Sequence, residues 1–318
     1  MRKKIVIVTG CSGFIGSHLV EFLIKKNKFV IGLDNLSSGN KKFMENIDKK
    51  NFKFYKVDLY KKKIDKYFKN ISEIYHLSAN ADVRYGIKHR DRDLKQNTIV
   101  THKILEQCVK NNIKKLIFSS TGSVYGEAKE IPTKEDCSFP IQTSLYGASK
   151  LSAESLISAY SEAYDLKCYI FRFVSILGSR YSHGHVYDFL DQLLKNPNNL
   201  NVLGNGNQKK SYLHVSDCIR AIWASLNSFN KNVNIINLGT DEYITVKQSI
   251  KIICNKLKIN PKLIFGGGNK GWVGDNPFIF LDTKKIRSIG WKPKYTIKLA
   301  VEDTVNYIIN NKWILKKK

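Results

Sequence analysis
The stretch Lys3-Lys4-Ile5-Val6-Ile7-Val8-Thr9-Gly10-Cys11-Ser12-Gly13-Phe14-Ile15-Gly16-Ser17-His18-Leu19 constrains this chain more than any other. A short, mostly β-branched apolar run meets three glycines, Gly10, Gly13 and Gly16. A pattern follows with Phe14, Ile15, Leu19, Phe22 and Leu23 on one helical side. A buried strand feeding a glycine turn and a helix makes a site for a pyrophosphate. Backbone without side chains can approach the phosphates, and the first helical N–H groups meet their charge. Glycine also serves any tight strand-to-helix turn, so the context decides. A second apolar run, Phe29-Val30-Ile31-Gly32-Leu33, ends in Asp34, an acid placed for a ribose hydroxyl. The expectation is a dinucleotide site.

The same rhythm continues. After the polar loop Asn35-Leu36-Ser37-Ser38-Gly39-Asn40 and a lysine-rich helical stretch, a third strand, Phe52 to Val57, ends in Asp58-Leu59. A fourth, Ile71 to Leu77, closes on His76-Leu77-Ser78-Ala79. Leu94 to Val109 has helical periodicity, Lys115 to Ser119 reads as a fifth strand, Ser144 to Tyr164 as a long helix and Lys167 to Phe173 as a sixth strand. Alternation of this kind predicts an α/β fold, a Rossmann-type doubly wound parallel sheet. We expect residues 1–174 to form that domain, with segments around 211–240 returning to it. Residues 175–318 should form mainly a smaller C-terminal α/β substrate-binding lobe, with helices over Thr245 to Leu257 and Ile297 to Ile309.

Composition excludes some classes. With 318 residues and 42% hydrophobic content the chain can form one large domain or two modest ones. No run approaches the ~20 apolar residues that span a bilayer. The basic Met1-Arg2-Lys3-Lys4 opening leads into an apolar run too short for a signal peptide, which predicts a cytoplasmic protein without a membrane partner. The six cysteines have no paired or metal-type spacing. The net charge of +26 comes from lysines spread along the whole chain, with no arginine-rich or aromatic-interleaved tract. That is a solvated surface, with no specific nucleic-acid partner expected.

Tyr146-Gly147-Ala148-Ser149-Lys150 puts a phenol and an ammonium on one helix face. A neighbouring lysine and a positive nicotinamide ring favour the phenolate, so Tyr146 can remove a hydroxyl proton while hydride leaves the same carbon. Thr121, just past the fifth strand, can hydrogen-bond the reacting oxygen.

With these residues in place, the chain resembles the extended short-chain dehydrogenase/reductases of the nucleotide-sugar epimerase/dehydratase group. The resemblance is carried by Thr9 to Gly16, Asp34-Asn35-Leu36, Asp58-Leu59, His76-Leu77-Ser78-Ala79, Asn97, Ser119-Ser120-Thr121, Tyr146 to Lys150 and Lys210-Ser211-Tyr212-Leu213-His214-Val215-Ser216-Asp217. It implies that Tyr146 is the base, that Lys150 binds the nicotinamide ribose and lowers the tyrosine pKa, and that Thr121 assists. It implies cofactor contacts from Gly10, Gly13, Phe14, Ile15, Gly16, Asn35, Leu77, Ala79, Asn97 and Ser119. Asp34 would hold the adenosine ribose, with Asp58 and Leu59 near the adenine, and an acid at Asp34 points to NAD over NADP.

The resemblance also narrows the reaction. Where sugar 4,6-dehydratases carry an acid after the catalytic threonine, this chain has Gly122-Ser123, and it lacks the cysteine of the epimerase–reductases there. What remains is oxidation at C4 of a nucleotide-diphospho-sugar. Re-reduction on the opposite face makes a 4-epimerase, similar to UDP-glucose 4-epimerase; release of the 4-keto sugar makes a 4-dehydrogenase. An RNA-binding or redox-sensing member is a third class, opposed by the intact catalytic set. Departures from the galactose-type epimerases fall in the substrate lobe, with Ser175 for an asparagine, Lys210 for an arginine, and Trp272 for a second arginine with Lys270 nearby. Asp275 follows in the same loop, and lysine lacks arginine's bidentate fork. His183 and His185 are candidate sugar or diphosphate contacts; without an acidic partner they predict no metal site. By the same resemblance the helices over Leu94–Val109 and Ser144–Tyr164 would pair in a homodimer.

Overall fold
The structure, a computed structural model, describes residues 3–315 except Phe139, Val273, Gly274, Pro277 and the side chain of Tyr85. Met1-Arg2 and the tail Lys316-Lys317-Lys318 lie outside the described residues.

The first compact unit comprises Met1–Val124, Ser144–Arg172 and Ile222–Ile236. Its strands are β1 (Ile5–Thr9), β2 (Phe29–Asp34), β3 (Phe52–Lys56), β4 (Glu73–His76), β5 (Lys115–Thr121) and β6 (Lys167–Phe173). Its helices are α1 (Phe14–Lys25), α2 (Val83–Lys88), α3 (Val100–Lys110) and α4 (Leu145–Tyr164). A later strand, Val233–Leu238, joins beside β6, so the seven-stranded parallel sheet runs in the order 233–238, β6, β5, β4, β1, β2, β3. Strand order reverses direction between β1 and β4, which pair in parallel with Thr9 opposite His76. Ligands of doubly wound sheets sit at that reversal, beyond the carboxyl ends of the strands.

Helices on both faces explain why the strands read as continuous apolar runs rather than alternating ones. Val6, Ile7 and Val8 are fully buried. Ile7, Leu33, Ile74, Leu116 and Phe118 pack with Ile104 and Leu105 of α3 and Ile157 of α4 in one core. Ser144 caps α4 by accepting the Gly147 N–H at 3.0 Å, which fixes where the helix carrying Tyr146 and Lys150 begins.

Three elements differ from the sequence reading. The lysine-rich stretch after Asn40 makes a single 3-10 turn, Lys41–Met44, because Asp48 then folds the chain by accepting the Lys50 N–H at 2.9 Å. The helix expected over Leu94 to Val109 opens as a π-helix, Leu94–Ile99, before α3. β5 extends to Thr121, which is therefore the last strand residue.

The second unit comprises Tyr125–Thr143, Phe173–Ala221 and Asn237–Lys318. It contains β7 (Ser175–Leu177), α5 (His185–Lys195), β8 (Asn199–Val202), β9 (Lys209–Lys210), β10 (Tyr212–His214) and the helix α6 (Val215–Ser228), whose last residues belong to the first unit. Then come β11, the strand 233–238 already placed, β12 (Ile244–Thr245), α7 (Val246–Leu257), β13 (Lys262–Phe265), α8 (Lys284–Arg287) and α9 (Ile297–Asn310). Its strands form three two-stranded sheets, β7 with β10, β8 with β13 and β9 with β12. Helices α5, α7 and α9 pack on one another around Val186, Leu190, Ile250, Ile253, Val301 and Val305. No helix among the described residues is long and apolar enough to cross a membrane.

Candidate active site
The first unit assembles its site from the carboxyl ends of β1, β2, β4 and β5. At the β1–β4 reversal, Thr9 Oγ1 accepts the Leu77 and Ser78 N–H groups, both at 3.1 Å, and lies 2.7 Å from His76 Nδ1. His76 Nε2 lies 3.0 Å from Thr101 Oγ1, which donates to the Asn97 carbonyl at 2.5 Å. Burial pushes the imidazole down to about 3. A neutral ring accepting from Thr9 and donating through Nε2 satisfies the whole chain of bonds. The sequence motif gave His76 no role; its role is to lock the two strand ends together.

Gly10 takes φ +68°, and a Cβ there would stand 2.8 Å from Ser78 N. A Cβ on Gly16 would stand 2.0 Å from the Gly10 carbonyl oxygen. Both glycines are therefore demanded by the turn itself. Gly13 is different. Its φ is −79° and its nearest obstruction, the Gly10 oxygen, would be 3.2 Å away, a tight contact that a small shift would relieve. Gly13 opens α1, which has no side-chain cap and no acid in its first turn. The neighbouring Ser12 Oγ is buried without a hydrogen-bond partner among the described residues. Uncapped helical N–H groups, an orphaned hydroxyl and a glycine with no side chain at the helix start fit a pyrophosphate.

Asp34, 8% exposed at the end of β2, accepts Ser12 N–H at 3.0 Å through Oδ2 and Leu36 N–H at 2.7 Å through Oδ1. Asn35 Nδ2 reaches Asp58 Oδ2 at 3.5 Å, and Asp58 Oδ1 holds the turn at Tyr60 and Lys61. Leu59 is buried, and its carbonyl accepts Lys103 Nζ at 2.7 Å. Phe14 is also buried, and Ile15 follows it in the first turn of α1. Ala79 precedes Asn80, whose N–H donates to Asn97 Oδ1 at 2.8 Å. These expected cofactor residues thus converge on the strand ends of one unit.

Thr121 favours the Tyr146 phenolate, yet burial dominates and pushes Tyr146 up to about 12, with the Asp93 carboxylate adding to the rise. The protein's own groups give no net lowering of Tyr146, because burial outweighs the effect of Thr121. Lys150 is 2% exposed, donates to the Ser119 carbonyl at 2.8 Å and lies 4.6 Å from the centre of the Phe118 ring. Burial pushes its amine down to about 7, opposed by the carboxylates of Glu154 and Asp93. Behind this pair, Ser120 Oγ donates to Glu154, and Arg172 Nη2 donates to the same carboxylate at 2.7 Å. This buried triad ties β5 and β6 to α4 and was missed in the sequence. Glu154 lies one turn after Lys150, the one signal that could have found it.

In the second unit, Lys210 Nζ lies 3.3 Å from Asp275 Oδ1 and 3.1 Å from the Asn276 carbonyl, with the Trp272 ring centre at 5.8 Å. Lys270 instead pairs with Glu127. Ser175 is exposed on β7, in register with Tyr212. His183 is exposed and stacks on Tyr181. His185 turns inward, its ring 3.0 Å from Ser249 Oγ and 2.8 Å from the Tyr212 hydroxyl, and burial pushes it down to about 3. The two candidate contacts therefore differ, His183 exposed and His185 held inside the lobe. No metal-type cluster occurs among the described residues.

Residues 6–239 match the model of the NAD dependent epimerase/dehydratase family. The chain belongs to that family. It is 35% identical over 314 residues to a Methanocaldococcus jannaschii protein with a provisional UDP-glucose 4-epimerase assignment, covering 96% of this chain and 99% of the relative. Among solved structures, the UDP-N-acetylglucosamine 4-epimerase of Methanobrevibacter ruminantium M1 in complex with UDP-N-acetylmuramic acid aligns with TM-score 0.87 and 29% identity, over 98% of this chain and 100% of that one. The UDP-glucuronic acid 4-epimerase of Bacillus cereus, in complex with UDP-glucuronic acid and NAD, aligns with TM-score 0.88 and 27% identity, over 96% and 99%. This member of the epimerase/dehydratase family is thus an NAD-dependent enzyme acting on a nucleotide sugar. The side-chain-free Gly13 at the start of α1, the orphaned Ser12 hydroxyl and the fixed Asp34 carboxylate are the features that fit NAD.

Proposed function
We propose that the chain is a nucleotide-sugar 4-epimerase with a UDP-linked sugar as substrate. The observation that carries this reading is Thr121 at the end of β5 acting on the buried Tyr146 phenol, with Lys150 one helical turn on, followed by Gly122-Ser123 where a dehydratase needs an acid. Bound NAD supplies the hydride acceptor, then the donor, and a positive ring that favours the phenolate. Tyr146 Oη takes the C4 hydroxyl proton and returns it after the sugar has presented its other face. Thr121 holds the reacting oxygen, and protonated Lys150 stabilises the phenolate. Ser123 can only hydrogen-bond: its N–H donates to Thr121 Oγ1 at 3.1 Å, which leaves C6 chemistry without a proton donor.

In the second unit, Lys210, Trp272 and Asp275 form the cluster we assign to the nucleoside diphosphate, with Lys270, Ser175 and His183 as further contacts. His185 supports that lobe from within. A homodimer is supported by Leu94, Val109, Leu145 and Tyr164, all exposed large apolar side chains at the ends of the stretches 94–110 and 145–164. Light scattering at the mass of two chains is expected, and a monomer alone removes that assignment.

The reading is tested by incubating the purified protein with UDP-glucose, UDP-N-acetylglucosamine, UDP-glucuronate and GDP-linked sugars and following C4 by NMR. A C4 epimer of a UDP sugar is expected. A 4-keto sugar with accumulated NADH would instead identify a dehydrogenase.

A further inference from the structure
A chain of polar side chains joins the loop after β4 to the first turn of α4. Asp93 Oδ1 accepts Asn80 Nδ2 at 2.8 Å and Asn97 Nδ2 at 3.3 Å. Asn97 Nδ2 also donates to Ser149 Oγ at 2.9 Å, and Ser149 Oγ donates to the Tyr146 carbonyl at 2.8 Å. Thr98 Oγ1 adds a bond to the Ser149 carbonyl at 3.0 Å. Asn97 and Thr98 lie in the π-helix, a widened geometry that recurs at functional sites.

Asp93 is the anomalous member. It is 1% exposed, and its Oδ2 is buried with no hydrogen-bond partner among the described residues. That oxygen rests on Gly86, where an added Cβ would stand 1.9 Å away. A buried carboxylate with one bare oxygen is costly unless a cation opposes it. The charged and titratable groups acting on it are Asp82, Lys150 and Tyr146. Lys150 in turn faces Glu154 and His76. Lys150 is the cation of this set, and the favourable effect is mutual. Burial drives the Asp93 carboxyl upward and the Lys150 amine downward, and each charge opposes the other's shift.

We propose that Asp93 is a positioning residue for the Tyr146–Lys150 pair: it fixes the first turn of α4 through Asn97 and Ser149, and presents a buried carboxylate to the Lys150 amine. This rests on Tyr146 and Lys150 being the catalytic pair.

The test is the Asp93→Asn variant, which keeps the acceptor oxygen and removes the charge. In protein labelled with [ε-13C]lysine, the Lys150 resonance is identified by its loss in Lys150→Met. It should titrate near 7, apart from surface lysines at roughly 10.4. In Asp93→Asn that midpoint moves to lower pH. Tyr146, which Asp93 also holds up, moves the same way. Both limbs of the turnover profile therefore move toward acid, and kcat above the optimum falls roughly tenfold, less than the roughly hundredfold or greater loss of a proton-transfer group. Gly86→Ala puts a methyl 1.9 Å from Oδ2, displaces the carboxylate without altering its charge and should move the midpoint as well. An unmoved Lys150 midpoint in either folded variant overturns the proposal, even if activity falls. If the parent turns over no nucleotide sugar, the assigned reaction fails, while the NMR midpoints still decide the role of Asp93.

Discussion
The Asp34 carboxylate accepts the Ser12 N–H at 3.0 Å, so the acid at the end of β2 is fastened to the glycine turn after β1. As the proposed ribose contact, its carboxylate would repel a 2′-phosphate. Asp34→Ala should raise NADP affinity relative to NAD. It also leaves the Ser12 and Leu36 N–H groups without their acceptor, at about 1–3 kcal/mol for a buried group. Titration with both cofactors and urea unfolding check the two halves; unchanged preference for NAD would contradict the first.

Gly13 and Gly16 should respond differently to the same substitution. Gly16→Ala brings a methyl to 2.0 Å from the Gly10 oxygen and should destabilise the protein in the absence of any cofactor. Gly13→Ala meets only a 3.2 Å approach, so it should fold and yet retain NAD roughly tenfold more weakly or worse. Cofactor released on denaturation, compared with thermal unfolding, separates the two effects.

Tyr146→Phe keeps the ring and removes the hydroxyl we assign to exchange of the C4 proton. Turnover should fall at least about 10²-fold while bound NAD and unfolding are unaffected. Full activity would mean that the base lies elsewhere.

The buried histidine at the strand reversal makes stability sensitive to acid. His76 is held neutral down to about pH 3, whereas in the unfolded chain it takes up a proton near its ordinary value of roughly 6.5. Between those values the unfolded state binds more protons, so stability is lost as pH falls, by about 1.4 kcal/mol per pH unit for this residue. Urea unfolding at pH 4, 5 and 6 should show a shallower slope in His76→Gln.

Much of this was legible in the sequence because periodicity and glycine spacing are local. The run Ile5 to Gly16 and the acid at Asp34 fixed a sheet and its cofactor edge, and Tyr146 to Lys150 a helix face. Other features depend on packing over long sequence separations and leave no such trace. Thr9, His76 and Thr101 meet only when β1 and β4 become neighbours, and Ser120, Glu154 and Arg172 only when β5, α4 and β6 pack. The inward turn of His185 depends on Tyr212 and Ser249, far along the chain. The rise in Tyr146 was missed for a related reason: spacing shows a lysine nearby but not the burial that outweighs it.

The most direct test of the account follows the hydrogen at C4. A UDP-hexose carrying deuterium at C4 is converted in ordinary water, and the product is examined by NMR and mass spectrometry. The account predicts a C4 epimer that keeps its deuterium at C4, since the same hydride leaves and returns while Tyr146 handles only the hydroxyl proton. A product with protium at C4, or one carrying a 4-keto group, would contradict it.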